Sequence, residues 1–218
     1  MDSTLTKATT ILLSNYPPKP VDALFFYGRS FGDETGLFEL AASMFHQGTV
    51  KFIAIVNSDG QRLGSDIPFQ AHIGKDEFRR RLIELDIPDD KIICPDLPGY
   101  HTRQETDAFL DLAKKQGWTS AVNLNQPHQV LRTMLGTLKS LEQLNYGMEI
   151  YAASPSFVLW QEVVKGSQGL EAKTREEHIA EELSRIPTYQ EKGDICSFEE
   201  LFVYLKVRES GTLKLGPS

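Results

Sequence analysis

Residues 21–48, VDALFFYGRSFGDETGLFELAASMFHQG, change period part-way along, and that change decides the fold. Residues 23–27 are an unbroken apolar run closed by Gly28, the pattern of a strand covered on both faces. From Asp33 onward Leu37, Leu40, Ala41, Met44 and Phe45 recur at helical spacing, and Gly48 follows where a helix C-cap glycine is expected. A strand, a glycine-bearing turn and a helix in succession open a doubly wound α/β fold. The turn holding Gly28, Arg29, Ser30 and Gly32 lies past the carboxyl end of that strand, the edge where open α/β sheets bind ligands. Its spacing departs from G-x-G-x-x-G, so tight turning and close packing explain the glycines as well as a ligand does. Asp33 and Glu34 are expected to cap the helix, where they would oppose a phosphate unless Arg29 turns inward.

The alternation continues down the chain. Residues 51–56 read as a second strand, 75–86 as a helix burying Phe78, Leu82 and Leu85, and 91–94 as a third strand. Thr102 and Glu105 fit a capping box that opens a helix with Ala108, Phe109, Leu112 and Ala113 inside and Gly117 at its end. Residues 119–124 form a fourth strand, 125–128 open a long helix through Leu144, and 148–152 form a fifth strand. The expected architecture is a mainly parallel, five-stranded Rossmann-like sheet, order 3-2-1-4-5, with right-handed crossovers. Residues 1–153 supply this core, including an N-terminal arm with a short helix over 4–14 that the prolines 17, 18 and 20 bring to an end. Residues 154–218 are expected to be a helical appendage packed on the core. It carries a second capping box at Thr174 and Glu177, a stripe of Ile179, Leu183 and Ile186, and a last helix over 198–207.

Composition narrows the function classes. A chain of 218 residues, 40% hydrophobic and 24% charged, suits one α/β domain with appendages. Thirty acidic against 23 basic residues, a net charge of -7, argue against a general grip on nucleic acid or an anionic membrane. Two cysteines, Cys94 and Cys196, make no disulfide framework, and no Cys/His spacing suggests zinc. The first twenty residues hold an apolar run of only residues 11–13, far short of a signal-peptide core, and a cytoplasmic protein is expected.

Residues that could carry chemistry cluster after the strands. Asn57, Ser58 and Asp59 follow the second strand, where Asp59 could hold a ribose hydroxyl or simply stabilise the turn into Gly60. The segment from there to Gly74, with Pro68 inside it, is either functional or a flexible loop. His101 and Thr102 stand past the third strand. Asn125, His128 and Arg132 open the helix after the fourth, with His128 and Arg132 one turn apart beside the apolar stripe of Leu131, Leu135 and Leu138. Arg132 could grip a carboxylate or phosphate at two points while His128 acts as donor or acid/base, or the two could be a surface pair. If Arg132 anchors an anion, Arg132→Ala is expected to weaken binding with little change in stability. Cys94 with His101 is the one thiol-imidazole pair to consider, against a buried structural cysteine. No motif assigns a reaction.

Taken together and in order, four segments resemble the bacterial domain family represented by YdcF, SanA and ElyC. They are the glycine-bearing turn and helix after strand one, the helix and strand over residues 78–92, the segment Tyr100-His-Thr-Arg-Gln-Glu105, and Asn125-Gln-Pro-His-Gln-Val-Leu-Arg132. The family's Asn-Thr is here His101-Thr102, and Gln129 stands three residues before Arg132 where the family has histidine. The resemblance covers residues 21–153. It implies a Rossmann-like fold and S-adenosylmethionine as ligand. Two functional readings follow: a protein that binds a nucleoside-containing small molecule at Gly28, Arg29, Ser30, Asn57, Ser58, Asp59, His101, Thr102, Asn125, His128 and Arg132, or a non-catalytic scaffold with a vestigial pocket. The sequence leaves oligomeric state open.

Overall fold

The apolar runs become five parallel strands in a computed structural model that describes residues 3–60, 72–165 and 172–217. In chain order the elements are α1 (Ser3–Leu13), β1 (Val21–Phe26), α2 (Leu37–His46), β2 (Val50–Ile55), α3 (Lys75–Glu84), β3 (Ile92–Ile93), α4 (Thr102–Gln116), β4 (Ser120–Leu124), α5 (Val130–Leu144), β5 (Tyr146–Gly147), β6 (Glu149–Ala153), β7 (Val163–Lys165), β8 (Ala172–Thr174), α6 (Arg175–Glu191), α7 (Phe198–Glu209) and β9 (Gly216–Pro217). The central sheet runs β3-β2-β1-β4-β6 and every neighbouring pair is parallel. This is the expected Rossmann-like order, with β6 as the fifth core strand. The order reverses between β1 and β4.

β1 is the pivot because its side chains bind both helical layers. Phe25 stacks on Phe109 of α4 at 4.5 Å between ring centroids, while its neighbour Phe26 meets Phe38 of α2 and Phe78 of α3, each at 4.8 Å. Successive strand residues point to opposite faces, so the two phenylalanines anchor opposite layers. Each fully buried phenylalanine is worth about 1.5–3 kcal/mol of transfer free energy. The C-terminal helices and the segment joining them close the same core: Ile186 of α6, Ile195 and Cys196 of the connection, and Leu201 and Leu205 of α7 belong to the buried cluster that holds the sheet.

Two expectations need correction. Asp33 and Glu34 do not cap α2, whose N-cap is Gly36 with a φ of 76° and no side-chain bond. Glu34 instead accepts from Arg81 of α3 at 3.0 Å, and Asp33 is buried. Thr102 and Glu105 form no capping box, because His101 is the N-cap of α4 and its Nδ1 accepts from the Gln104 N–H at 3.4 Å. Thr102 is thereby one residue inside the helix, and Glu105 is directed elsewhere. The region after residue 153 carries the expected helices α6 and α7 and adds two short antiparallel strand pairs, β7 with β8 and β9 with β5. The capping box at Thr174 and Glu177 is present, and Ser197 with Glu200 forms another that opens α7. Among the described residues, no helix is long and apolar enough to cross a membrane.

Candidate functional site

The carboxyl ends of β1, β2 and β4 and the start of α4 enclose a cleft of about 400 Å³, within the range of small-molecule sites. Seven of the residues singled out in the sequence line it: Gly28, Arg29, Ser58, His101, Thr102, Asn125 and Arg132. Four do not. Ser30 is buried and bridges to His72. Asn57 is a strut, donating to the carbonyls of Pro95 and Asp96 at 3.0 and 3.1 Å and accepting from Lys75 at 3.1 Å. The Asp59 side chain is 86% exposed and faces Lys75 at 3.6 Å, so the acid expected on a ribose points to solvent. His128 is buried outside the cleft, its ring 5.9 Å from that of His178 on α6. Residues 61–71 of the segment before Gly74 lie outside the described residues.

Of the two acidic residues lining the cleft, Glu105 and Asp194, Glu105 stands against the turn after β1. Its Oε2 accepts from the Gly28 N–H at 3.4 Å, and a Cβ at residue 28 would stand 2.7 Å from Oε1. On the other side a Cβ at residue 99 would stand 2.9 Å from the Glu105 Cα and 3.0 Å from its nitrogen. Two glycines therefore admit the first turn of α4 to the end of β1, and they place a carboxylate where the turn after β1 begins. Tyr27 fixes the floor, its hydroxyl sharing hydrogen bonds with Thr106 at 3.2 Å and Thr137 at 2.9 Å. Burial pushes that phenol up to about 12, which keeps its proton in place.

The arginines are already engaged. Arg29 has turned inward and is 3% exposed; its two terminal nitrogens donate to the side-chain oxygens of Gln129 and Asn125. Arg132 is buried too, so it is no surface residue. Its Nε donates to Glu182 Oε2, its Nη2 to Oε1 at 3.3 Å, and its Nη1 reaches the Thr102 hydroxyl at 3.5 Å. Burial pushes the Glu182 carboxyl up, but the Arg132 charge and hydrogen bonds outweigh it and hold it below the usual carboxylate range.

Glu182 exposes what the sequence reading missed. The expected inner stripe of α6 was Ile179, Leu183 and Ile186, whereas the residues buried on it are Arg175, His178, Glu182 and Ile186. The fully buried Arg175 bonds the Gly32 carbonyl at 2.8 Å, the Thr35 hydroxyl at 3.0 Å and the Glu162 carboxylate. Polar residues at positions 175, 178 and 182 share a helix face, and such a pattern ordinarily reads as the solvent side. Nothing in the sequence marks it as inward.

The thiol-imidazole pair does not form. Cys94 donates to the Val56 carbonyl at 3.8 Å and lines a separate groove with Lys75, Arg79 and Asp96, while His101 caps α4 in the cleft. Burial raises the Cys94 thiol. No group of three or more metal-ligating side chains comes together among the described residues.

Fold and cleft define the class: an α/β protein with a Rossmann-like parallel sheet and a cleft over its switch point. No family model matches the chain, and no curated protein matches it.

Proposed function

We propose that the protein binds a nucleoside-containing small molecule in the cleft over β1 and β4. The observation that carries this reading is the Glu105 carboxylate set against the Gly28 turn in a cavity of about 400 Å³. A carboxylate accepts hydrogen bonds from ribose hydroxyls, and in dinucleotide-binding sheets the acid that does so follows the second strand, whereas Glu105 reaches the cleft from the first turn of α4. Asp59, exposed to solvent, gives that role up to Glu105. The donors and acceptors of Ser58, His101 and Asn125 share the same cleft.

S-adenosylmethionine is the ligand that the sequence resemblance points to, and Glu105 is the residue that supports it. Glu105 suits the ribose hydroxyls, and the cationic sulfonium is better tolerated beside a carboxylate than beside an unpaired arginine. No reaction is assigned, since the histidine expected to work as acid/base lies outside the cleft. The test is a thermal-shift and calorimetric panel of nucleosides, nucleotides and S-adenosylmethionine against the wild type and Glu105→Gln. A ligand at a hundred times its Kd adds about 2.7 kcal/mol to stability. Glu105→Gln is expected to lose most of that shift. A flat response to the whole panel favours the scaffold reading.

A further inference from the structure

We infer that Arg132 is a carboxylate-binding subsite of the cleft, and that Glu182 occupies it as an internal stand-in which a ligand's carboxylate displaces. The inference rests on the cleft being a ligand site, though not on the ligand being a nucleoside. Arg132 lines the cleft, and Glu182 meets it with both oxygens on Nε and Nη2, the two-point geometry by which a guanidinium holds a free carboxylate. Its third nitrogen, Nη1, makes only the 3.5 Å approach to Thr102, which itself lines the cleft. Exchange of one carboxylate for another would leave Arg132 paired throughout. The cost of a buried unpaired charge is therefore avoided on that side.

Glu182 also has somewhere to go. Arg185, one turn along α6, donates from Nη1 to Glu182 Oε1 at 2.9 Å and bonds Glu181 with its other terminal nitrogen. A Glu182 released from Arg132 keeps this cation. The helix is built to yield nearby: Pro187 lies inside α6 and lacks the N–H that would bond the Leu183 carbonyl, so the turn carrying Glu182 is followed by a missing rung. Beyond it, Tyr189 lines the cleft again. The inward face of α6 is thus held by ion pairs and hydrogen bonds from Arg175, His178 and Glu182, with Ile186 as its one buried apolar side chain.

The experiment uses sodium acetate and inorganic phosphate as probes, titrated at constant ionic strength against chloride and followed by the NMR resonances of the arginine Nε–H groups. It needs no nucleoside, so a failed nucleoside screen leaves it intact. Glu182→Gln keeps the side chain's shape and removes its charge, and acetate affinity is expected to rise about tenfold or more as the competent state becomes populated. Adding Arg132→Ala to Glu182→Gln is expected to abolish the gain. Equal acetate affinity in wild type and Glu182→Gln, or a gain that survives the loss of Arg132, overturns the inference. A response to phosphate without one to acetate overturns the carboxylate assignment. Should Glu182→Gln fail to fold by circular dichroism, Arg185→Ala carries the test. It removes the refuge of Glu182, so acetate affinity is expected to fall several-fold, and an unchanged affinity is the overturning result.

Discussion

Glu105 and Gly28 are matched: the carboxylate accepts the glycine N–H, and its other oxygen stands where a Cβ would be, 2.7 Å away. The pair joins α4 to the turn after β1. Because the atom in the way is the end of a flexible side chain, Gly28→Ala can be accommodated by turning Glu105 aside, and is expected to cost about 1 kcal/mol. Gly99→Ala meets the Glu105 backbone at 2.9 and 3.0 Å and has no such escape. It is expected to cost more, in the range of about 1–3 kcal/mol for overpacking, with each kcal/mol lowering Tm by about 2–4 °C. Thermal melts of the two variants check the order. A Gly28→Ala protein less stable than Gly99→Ala would mean that Glu105 is held more rigidly than its contacts suggest.

Arg132→Ala leaves Glu182 buried with only Arg185 for company. The expected loss is about 3 kcal/mol, the lower end for breaking a buried pair, in place of the small change expected from the sequence. Removing both charges, as Arg132→Ala with Glu182→Ala, is expected to recover part of that loss. Urea midpoints of the single and double variants measure it, and additive losses would show that the pair is not coupled.

The two thiols differ in access. Cys196 is buried and pushed up to about 12 by burial, whereas Cys94 is half-buried at the groove beside α3. Cys94 is expected to react first with a disulfide reagent at neutral pH, and both slowly, since the thiolate is the reactive form. A cleft ligand is expected to leave the Cys94 rate unchanged. Protection of Cys94 by such a ligand would place the thiol in the site after all.

The fold was legible because burial on both faces makes β1, β2, β4 and β6 near-continuous apolar runs, while α2, α4 and α5 carry the 3.6 period. The order of strands is less legible, because right-handed crossovers and the same alternation also suit the order 2-1-3-4-5; the structure has the Rossmann-like one. What the sequence concealed is where charge is buried. Thr102 and Glu105 satisfy the capping-box pattern, yet His101 took the cap because the chain enters α4 one residue earlier, and Glu105 was left to reach Gly28. Glu182 and Arg175 read as surface charges since nothing local shows that α6 turns that face to the sheet edge. Local pattern specifies elements; the pairing of Arg132 with Glu182, fifty residues apart, is a tertiary fact.

The last prediction concerns two buried groups near Arg29 whose proton affinities have moved in opposite directions. Asp33 is pushed up to about 6, by burial first, while Arg29 and Arg175 stand 3.9 Å away and offset only part of it. His128 is held down to about 3, by burial first and then by the Arg29 charge. Between pH 4 and 6 the native protein keeps a proton on Asp33 that the unfolded chain has released, so this group makes stability fall as pH rises. Over the same range the unfolded chain carries a proton on His128 that the native protein refuses, so this group makes stability rise with pH, up to about 6.5. The two slopes cancel where they overlap, and the wild type hides both. Asp33→Asn removes the first and is expected to lose stability as pH falls from 6.5 to 4, by up to about 1.4 kcal/mol per pH unit. His128→Gln removes the second, and its stability is expected to fall instead as pH rises from 4 to 6. Urea unfolding at half-unit steps between pH 4 and 7 reads both profiles against the wild type. Variants whose profiles stay parallel to the wild type would show that neither group carries a shifted proton in the folded protein.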